Sequence, residues 1–306
     1  MSNTDSPRRS AVIRNARSDT LFYAINYIFL FFCFLIVFYP IWNVVCCSLS
    51  APQEVIAGRV TLWPKRITFD AYLQVFDNAL LMRGYLNSIL YTVTGTLINL
   101  VMTVAIAYPL SRRDFVGRGV LTALFVFTMI FSAPLIPTYL NIRNLGLIDT
   151  IWVMILPGAI SVYNMIIART FFSSSIAEEM LEAAQLDGAS DMQMLLRLVL
   201  PLSKSILAVL VLYYAVDHWN SYFNGLIYLN SESKFPLQVV LRTILTNAQN
   251  LQEMAQNVTD EESQMLALVE VMKYAIIVFG SLPVLLLYPF VQKHFVKGVM
   301  IGSLKG

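Results

Sequence analysis

Residues 21–46, LFYAINYIFLFFCFLIVFYPIWNVVC, contain no charged side chain. A helix needs about 20 mainly apolar residues to cross the hydrocarbon core of a bilayer, so this stretch predicts a membrane-spanning helix. Its apolar run is longer than the central region of a signal peptide, and no small-residue cleavage site follows it. We therefore expect it to be a span rather than a removed leader.

Further apolar stretches follow along the chain. No charged residue lies between Arg83 and Arg112, between Arg118 and Arg143, between Asp149 and Arg169, or between Lys273 and Lys293, and these intervals indicate spans at about 85–110, 119–140, 150–171 and 273–292. A further apolar stretch follows Lys204, is interrupted by Asp217, and indicates a span at about 203–229. Only 13% of the residues are charged and 57% are hydrophobic, whereas soluble domains carry about 25% charged residues. The sequence predicts an all-α, polytopic membrane protein with six transmembrane helices over 21–292. Pro134 and Pro137 are expected to kink or break the third span.

Basic residues set the predicted orientation. They precede the first span, follow the second, lie between the fourth and fifth, and follow the last: Arg8, Arg9, Arg14 and Arg17; Arg112, Arg113 and Arg118; Arg197 and Lys204; Lys293, Lys297 and Lys305. Positively charged loops stay in the cytoplasm. An N-terminal tail, 1–20, and a C-terminal tail, 293–306, are therefore both expected to be cytoplasmic.

Several function classes are disfavoured by composition. The net charge of +2 and the lack of a basic, aromatic-rich patch argue against nucleic-acid binding. Cys33, Cys46 and Cys47 have no metal-ligand spacing, and the two histidines are far apart, so we expect no metal site. The spans lack paired carboxylates and nucleophile–base arrangements, and the chain lacks a Gly-rich phosphate loop, so we expect no enzymatic activity and no cofactor in this chain.

One connection differs from the others because it is acidic and amphipathic. Residues 178–201 read EEMLEAAQLDGASDMQMLLRLVLP. Ser175, three residues before Glu178, predicts a capping box at the start of a helix, and Gly188 is expected to end that helix in a left-handed turn. Ser190 and Gln193 predict a second capping box. We expect a cytoplasmic helix–turn–helix over 173–202, between spans four and five.

The spacing within this hairpin resembles a known motif. Glu182-Ala183-Ala184, three residues, Gly188, nine residues, Leu198, one residue and Leu200-Pro201 resemble the EAA loop of binding-protein-dependent ABC importer permeases, the MetI-like or type I group. In that family the loop is a coupling helix that docks on a cytoplasmic ATPase. The resemblance assigns ATPase coupling to Glu182, Ala183, Ala184, Asp187, Gly188, Leu200 and Pro201.

Other stretches resemble the carbohydrate branch of this family, which contains the maltose permeases. They are PTYLNIRNLGLIDT (137–150), VYNMIIARTFF (162–172), DHWNSYFNGLIYL (217–229) and YPFVQKHFVKGVMIGSLKG (288–306). The resemblance is strongest to a subgroup that serves complex oligosaccharides with lipoprotein binding proteins. In the maltose system the permease C-terminus reaches into the ATPase dimer, which would make Gly302, Ser303, Lys305 and Gly306 candidate ATPase contacts.

The resemblance also implies partners and a location. It implies a second permease subunit in a heterodimer, an ATPase dimer that binds ATP and Mg, an extracytoplasmic solute-binding lipoprotein and a carbohydrate cargo. The expected location is the cytoplasmic (inner or plasma) membrane of a bacterium, in contact with its lipid.

The fifth predicted span carries residues suited to a sugar path. Sugars are bound by hydrogen bonds to hydroxyls and by stacking on aromatic rings. The candidates are Asp217, His218, Trp219, Asn220, Tyr222 and Asn224, with Tyr163 and Asn164 of span four as secondary ones. Anchoring at the membrane interface explains the same aromatic residues equally well. In contrast, Asn99 and Thr103 are expected to form helix–helix hydrogen bonds.

Two alternatives stay open at this stage. An ion-coupled secondary transporter needs charges within the membrane; the spans offer only Asp217, and that interpretation leaves the hairpin unexplained. An ABC permease for a non-sugar solute is compatible with the hairpin, because the EAA loop indicates coupling to an ATPase and does not identify the transported solute.

Overall fold

The computed structural model describes residues 17–254 and 260–303, and these residues are almost entirely helical. The helices in chain order are α1 (Arg17–Ser48), α2 (Pro52–Ile56), α3 (Asp70–Asp77), α4 (Ala79–Ser111), α5 (Arg118–Ile130), α6 (Leu135–Asn144), α7 (Val162–Ser175), α8 (Glu178–Leu186), α9 (Asp191–Met194), α10 (Leu200–Leu202), α11 (Lys204–Trp219), α12 (Phe223–Tyr228), α13 (Leu237–Met254) and α14 (Asp260–Ser303). The described residues form no strand beyond an isolated bridge between Ser50 and Ile67. The all-α prediction is confirmed.

Within the described residues, three helices are long and apolar enough to cross a membrane: Leu21–Ser48 of α1, α4, and Ala267–Pro289 of α14. Two bent pairs would raise the number to five if each pair is one span. The angle between α5 and α6 is 113°, and that between Asp191–Leu202 and α11 is 83°. By length and composition the described residues thus contain three to five candidate spans, and the six-span plan stays a prediction.

Two of the expected spans are not single helices. The window 150–171 forms a 3-10 turn at Ile151–Met154, a loop that contains Pro157 and Gly158, and then α7. The window 203–229 is divided at residues 220–222 into α11 and α12. Both windows are apolar enough for a bilayer, but hydropathy does not report where the backbone leaves the helical conformation.

The third expected span is broken at its prolines, as their positions predict. Pro134 is the extended N-cap residue of α6, with ψ 155°. A proline disfavours helical backbone in the residue before it, which separates α5 from α6. Pro137 lies in the first turn of α6, where a missing N–H removes no intrahelical hydrogen bond.

The core is built around α4, which packs on α7, α11 and α13. Its main cluster includes Ala107, Met165, Leu210 and Tyr214, each buried. A second cluster joins α3, the start of α4, α13 and α14. In contrast, residues 21–41 of α1 are exposed in this chain, and α1 packs mainly on α14. The broad apolar surface of α1 suits contact with lipid.

Polar side chains link the helices inside the core. The hydroxyls of Thr103 and Tyr214 are 2.6 Å apart, and the Asn99 amide donates to the carbonyl of Gly158 at 2.8 Å. The Oδ1 atom of Asn99 lies 3.2 Å from Nε2 of His218. The prediction that Asn99 and Thr103 join helices by hydrogen bonds is confirmed.

Candidate functional site

The hairpin over 173–202, called the EAA hairpin below, has a well-defined turn. Gly188 has a φ of +79°. The N–H of Ala189 donates to the carbonyl of Ala184, and that of Gly188 donates to the carbonyl of Gln185, both at 3.0 Å. This is the Schellman pattern, in which a left-handed residue lets the chain reverse while the last carbonyls of the helix stay bonded. The predicted role of Gly188 in ending α8 is confirmed.

The capping box predicted at Ser190 and Gln193 is present, and the one predicted at Ser175 and Glu178 was wrong. Ser190 and Gln193 form both hydrogen bonds of a capping box at the start of α9. Ser175, however, is the last residue of α7, and α8 begins after Ala177 without a side-chain cap. Ser175 cannot cap α8 because α7 continues through it and extended Ile176 separates the two helices. The prediction did not allow for the length of α7.

The hairpin is held on the helix bundle by apolar and ionic contacts. Ile176 and Val199 are buried in the main core cluster, and Leu181 and Leu195 pack against it. The guanidinium of Arg113 lies 2.8 Å from the carboxylate of Glu178 and joins α8 to the connection between α4 and α5. These contacts hold the base of the hairpin against α4, α7 and α11.

The outer surface of the hairpin combines acids with apolar side chains. Glu182, Ala183, Asp187 and Gly188 are exposed, whereas Ala184 is half-buried. Leu186 is 89% exposed, and other exposed apolar residues are Met180, Met192 and Leu196. Of the remaining predicted coupling residues, Leu200 is half-buried and Pro201 is exposed. This surface therefore offers both charged and apolar side chains for contact with another protein.

A polar groove lies beside the hairpin and was not predicted. Arginines of the α4–α5 connection, of the start of α5 and of α7 line it with acids of α8: Arg112, Arg113, Arg118, Arg169, Glu178, Glu179 and Glu182. The hydrogen bond from the Arg112 guanidinium lowers the pKa of the Asp114 carboxyl. The sequence signal is the run of basic residues after α4, which by itself indicates only the orientation of the chain in the membrane.

The predicted pathway residues fall in different places. Trp219, Asn220 and Tyr222 line a cavity of about 630 Å³ against α13 and α14. His218 is buried and contacts Asn99 instead, and a Cβ at Gly95 would come within 2.4 Å of its ring. The other candidates do not line this cavity: Asp217 and Tyr163 are exposed, Asn224 is half-buried and Asn164 is buried. A sugar path through any of these residues stays a prediction.

A clasp that the sequence did not reveal joins two distant loops. The carboxylate of Asp149 accepts hydrogen bonds from the backbone N–H groups of Asn230 and Ser231, at 3.1 and 3.0 Å, and from the Ser231 hydroxyl at 2.6 Å. The Lys234 ammonium lies 2.8 Å from the same carboxylate. Lys234 above all, and then Ser231, hold the pKa of the Asp149 carboxyl well below its usual range.

Replacing Asp149 with asparagine should loosen this clasp. Asp149 has a φ of +55°, and asparagine tolerates this conformation about as well as aspartate, so the change removes mainly the charge. We expect severalfold faster limited proteolysis within 145–150 and 230–234. Asp77→Asn, at an exposed aspartate of α3, is the matched control and should leave the rate unchanged.

The pH dependence follows from the same contact. A carboxyl with a lowered pKa stabilises the folded state fully above its unfolded pKa of about 4, and the contribution is lost as the pH falls below that value. The two proteins should therefore differ at neutral pH and converge in acid. Equal proteolysis rates at neutral pH would contradict a stabilising role for the Asp149–Lys234 pair.

The predicted C-terminal contacts lie at the end of the chain. Gly302 and Ser303 are in the last turn of α14. Lys305 and Gly306 lie outside the described residues, as does most of the N-terminal tail. The C-terminal ATPase contact therefore stays a prediction.

Comparison with known proteins gives two close full-length relatives. No protein-family model matches the chain. The polygalacturonan/rhamnogalacturonan transport system permease protein YtcP of Bacillus subtilis (strain 168) is 38% identical over 298 residues, which cover 96% of this chain and 100% of YtcP. Protein LplC of the same organism is 40% identical and covers 96% of this chain and 98% of its own length.

A solved structure shares both sequence and fold with the chain. It is a bacterial ABC transporter involved in the import of the acidic polysaccharide alginate. One of its chains matches with a TM-score of 0.83 and 37% identity, over 92% of this chain and 99% of that chain.

Proposed function

The chain belongs to the permease subunits of ABC transporters that import sugars, and from this premise we propose that it forms half of the translocation path of an ATP-driven, binding-protein-dependent oligosaccharide importer. It is accordingly a transport subunit of the membrane and not an enzyme. The observation that carries the proposal is the EAA hairpin, which is fixed at its base and presents exposed acids and leucines on its outer surface.

We assign coupling to the outer surface of that hairpin. An alanine-rich helix allows close approach of a partner, and Glu182 and Asp187 can pair with basic groups of an ATPase. Closure of the ATPase dimer on ATP would draw the two coupling hairpins of a permease pair together. Because Ile176 and Val199 tie this hairpin to α4, α7 and α11, its displacement would tilt those helices and switch the access of the path.

The remaining parts of the proposal concern assembly. The partners are a second, related permease in a heterodimer, an ATPase dimer with ATP and Mg, and an extracytoplasmic solute-binding lipoprotein. The permease domain over 21–292 lies in a bacterial cytoplasmic membrane, with both termini and the hairpin on the cytoplasmic side. The last residues of the chain are a second ATPase contact.

Purification in mild detergent tests the proposal. We would tag the chain in its native membranes and identify every retained protein by mass spectrometry. The expected result is one ATPase and one further multi-span permease in stoichiometric amounts. Recovery of the chain alone or as a homo-oligomer in several detergents would contradict the proposal, and Asp217 would then be the residue to test for ion coupling.

A further inference from the structure

The residues that line the cavity beside the end of α11 indicate which class of sugar the protein transports. We infer that Arg242 binds a sugar carboxylate in this cavity, so that the imported oligosaccharide contains uronate units. This inference rests on the proposed import of an oligosaccharide and adds the class of sugar. It also gives this subunit a direct role in substrate contact.

Three elements form the walls of the cavity. The end of α11 and the break after it contribute Trp219, Asn220 and Tyr222; one face of α13 contributes Gln238, Leu241, Arg242 and Leu245; and one face of α14 contributes Ile277, Gly280, Ser281, Val284 and Leu285. The α13 residues are spaced by three and four, so they share one helix face. The cavity of about 630 Å³ falls within the range of 300–1,000 Å³ that is usual for small-molecule sites.

The walls are held in place by their own contacts. The indole N–H of Trp219 donates to the carbonyl of Gly280 at 2.9 Å, and its ring packs edge-on against Tyr85. The aliphatic residues on both helices give an apolar floor. Trp219 therefore holds the end of α11 against α14. The backbone that carries the polar side chains at the rim is fixed in position by this contact.

The charge of the cavity is the central observation. Among the residues that the structure describes, Arg242 is the only charged one that lines the cavity, and none of the lining residues is an aspartate or glutamate. Within the part of the chain that the structure describes, the guanidinium of Arg242 forms no hydrogen bond or ion pair, and it is exposed to the cavity side of α13. A cation that none of the described residues neutralises favours an anionic ligand.

The neighbouring residues select for a sugar. Asn220 and Gln238 can donate to and accept from hydroxyl groups, and Tyr222 adds a ring and a phenol. The planar guanidinium of arginine can bind both oxygens of a carboxylate at once, a geometry that lysine lacks. A uronate combines hydroxyls, an apolar ring face and a carboxylate, and these match the amides, the aromatic residues and Arg242.

The test compares acidic and neutral cargo in the complete transporter. The importer, purified with its partners, is placed in liposomes with ATP inside. Uptake is measured for oligogalacturonides and for the same oligosaccharides after reduction of their carboxyl groups to alcohols. Variants are Arg242→Gln and Arg242→Lys, with Arg83→Gln, at an exposed arginine of α4 that does not line the cavity, as the control.

We expect Arg242→Gln to lower uptake of the acidic cargo by about tenfold or more, because charge-assisted hydrogen bonds contribute strongly to binding. Uptake of the reduced cargo should change less than about twofold, and Arg242→Lys should restore part of the loss, since a point charge remains. The binding protein is the same in every measurement. Its own preference for acidic or reduced oligosaccharides therefore cancels when the uptake by a variant is divided by the uptake by the original protein.

The outcomes that reject the inference are distinct from failure of the proposed function. Equal loss for both cargoes would show that Arg242 serves assembly or binds a partner or lipid, and no loss for either would show that it lies off the path. Transport of the reduced cargo alone by the original protein would also reject an acidic substrate, even if Arg242→Gln fails to assemble. Absence of the ATPase from the purified complex would instead reject the importer itself.

Discussion

Gly188→Arg is expected to abolish transport while the protein still inserts in the membrane. A Cβ at Gly188 would meet no atom of this chain within 4 Å, so the arginine has space in the isolated subunit. In the assembled transporter the same side chain would project from the turn of the coupling hairpin into the ATPase. Loss of a central interface contact corresponds to about 2 kcal/mol or more, or roughly thirtyfold in affinity.

The measurement is the amount of ATPase that copurifies with each variant, together with ATP-driven uptake. Gly58→Arg is the matched control, since Gly58 also has a positive φ, +64°, and open space around it. Both changes carry the same strain, about 1–2 kcal/mol for a left-handed non-glycine residue. Gly188→Asn, which tolerates the turn, should keep most activity. Normal ATPase recovery by Gly188→Arg would contradict the coupling assignment.

Gly95→Ala is expected to destabilise the bundle, although alanine is the better helix former. The new methyl would lie 2.4 Å from Nε2 of His218, so the buried ring must move and the bond to Asn99 must lengthen. Overpacking of this kind costs about 1–3 kcal/mol. We expect a lower midpoint of thermal unfolding in detergent, with reduced uptake as α4 and α11 separate.

Gly119→Ala provides the comparison within the same fold. Gly119 is helical, and a Cβ added there would meet no atom within 4 Å, so alanine should be neutral or stabilise by up to about 1 kcal/mol. A double-mutant cycle of Gly95→Ala with His218→Ala should show favourable coupling, because removal of the ring relieves the clash. Equal unfolding midpoints for Gly95→Ala and Gly119→Ala would contradict the close-packing argument.

The sequence was most informative where one local rule governs the structure. Charge-free windows located α1, α4 and α14, and the turn at Gly188 followed from the glycine and the helix before it. Pro134 marked the break between α5 and α6. These features depend on a few neighbouring residues, so they could be predicted before the fold was known.

Features that depend on distant residues were not predictable. The Asp149–Lys234 clasp joins residues 85 positions apart, and neither loop carries a local signal for the other. His218 resembled a pathway residue because it stands beside Trp219, but a helix turns by about 100° per residue, and the two side chains face different neighbours. Arg242 drew no attention in the sequence because its position in the cavity depends on how α13 packs on α14.

The contact between α1 and α14 has a consequence for biosynthesis. Helix α1 leaves the ribosome before α14, so it meets its main partner within this chain only when α14 has been made. Cys46 and Cys47 then become covered, at 1% and 5% exposure, beside Tyr274 of α14. A nascent chain stalled before residue 260 should leave these thiols open to alkylation, and a chain that includes α14 should protect them. The alkylation of Cys46 and Cys47 therefore reports when α14 packs on α1 during membrane assembly.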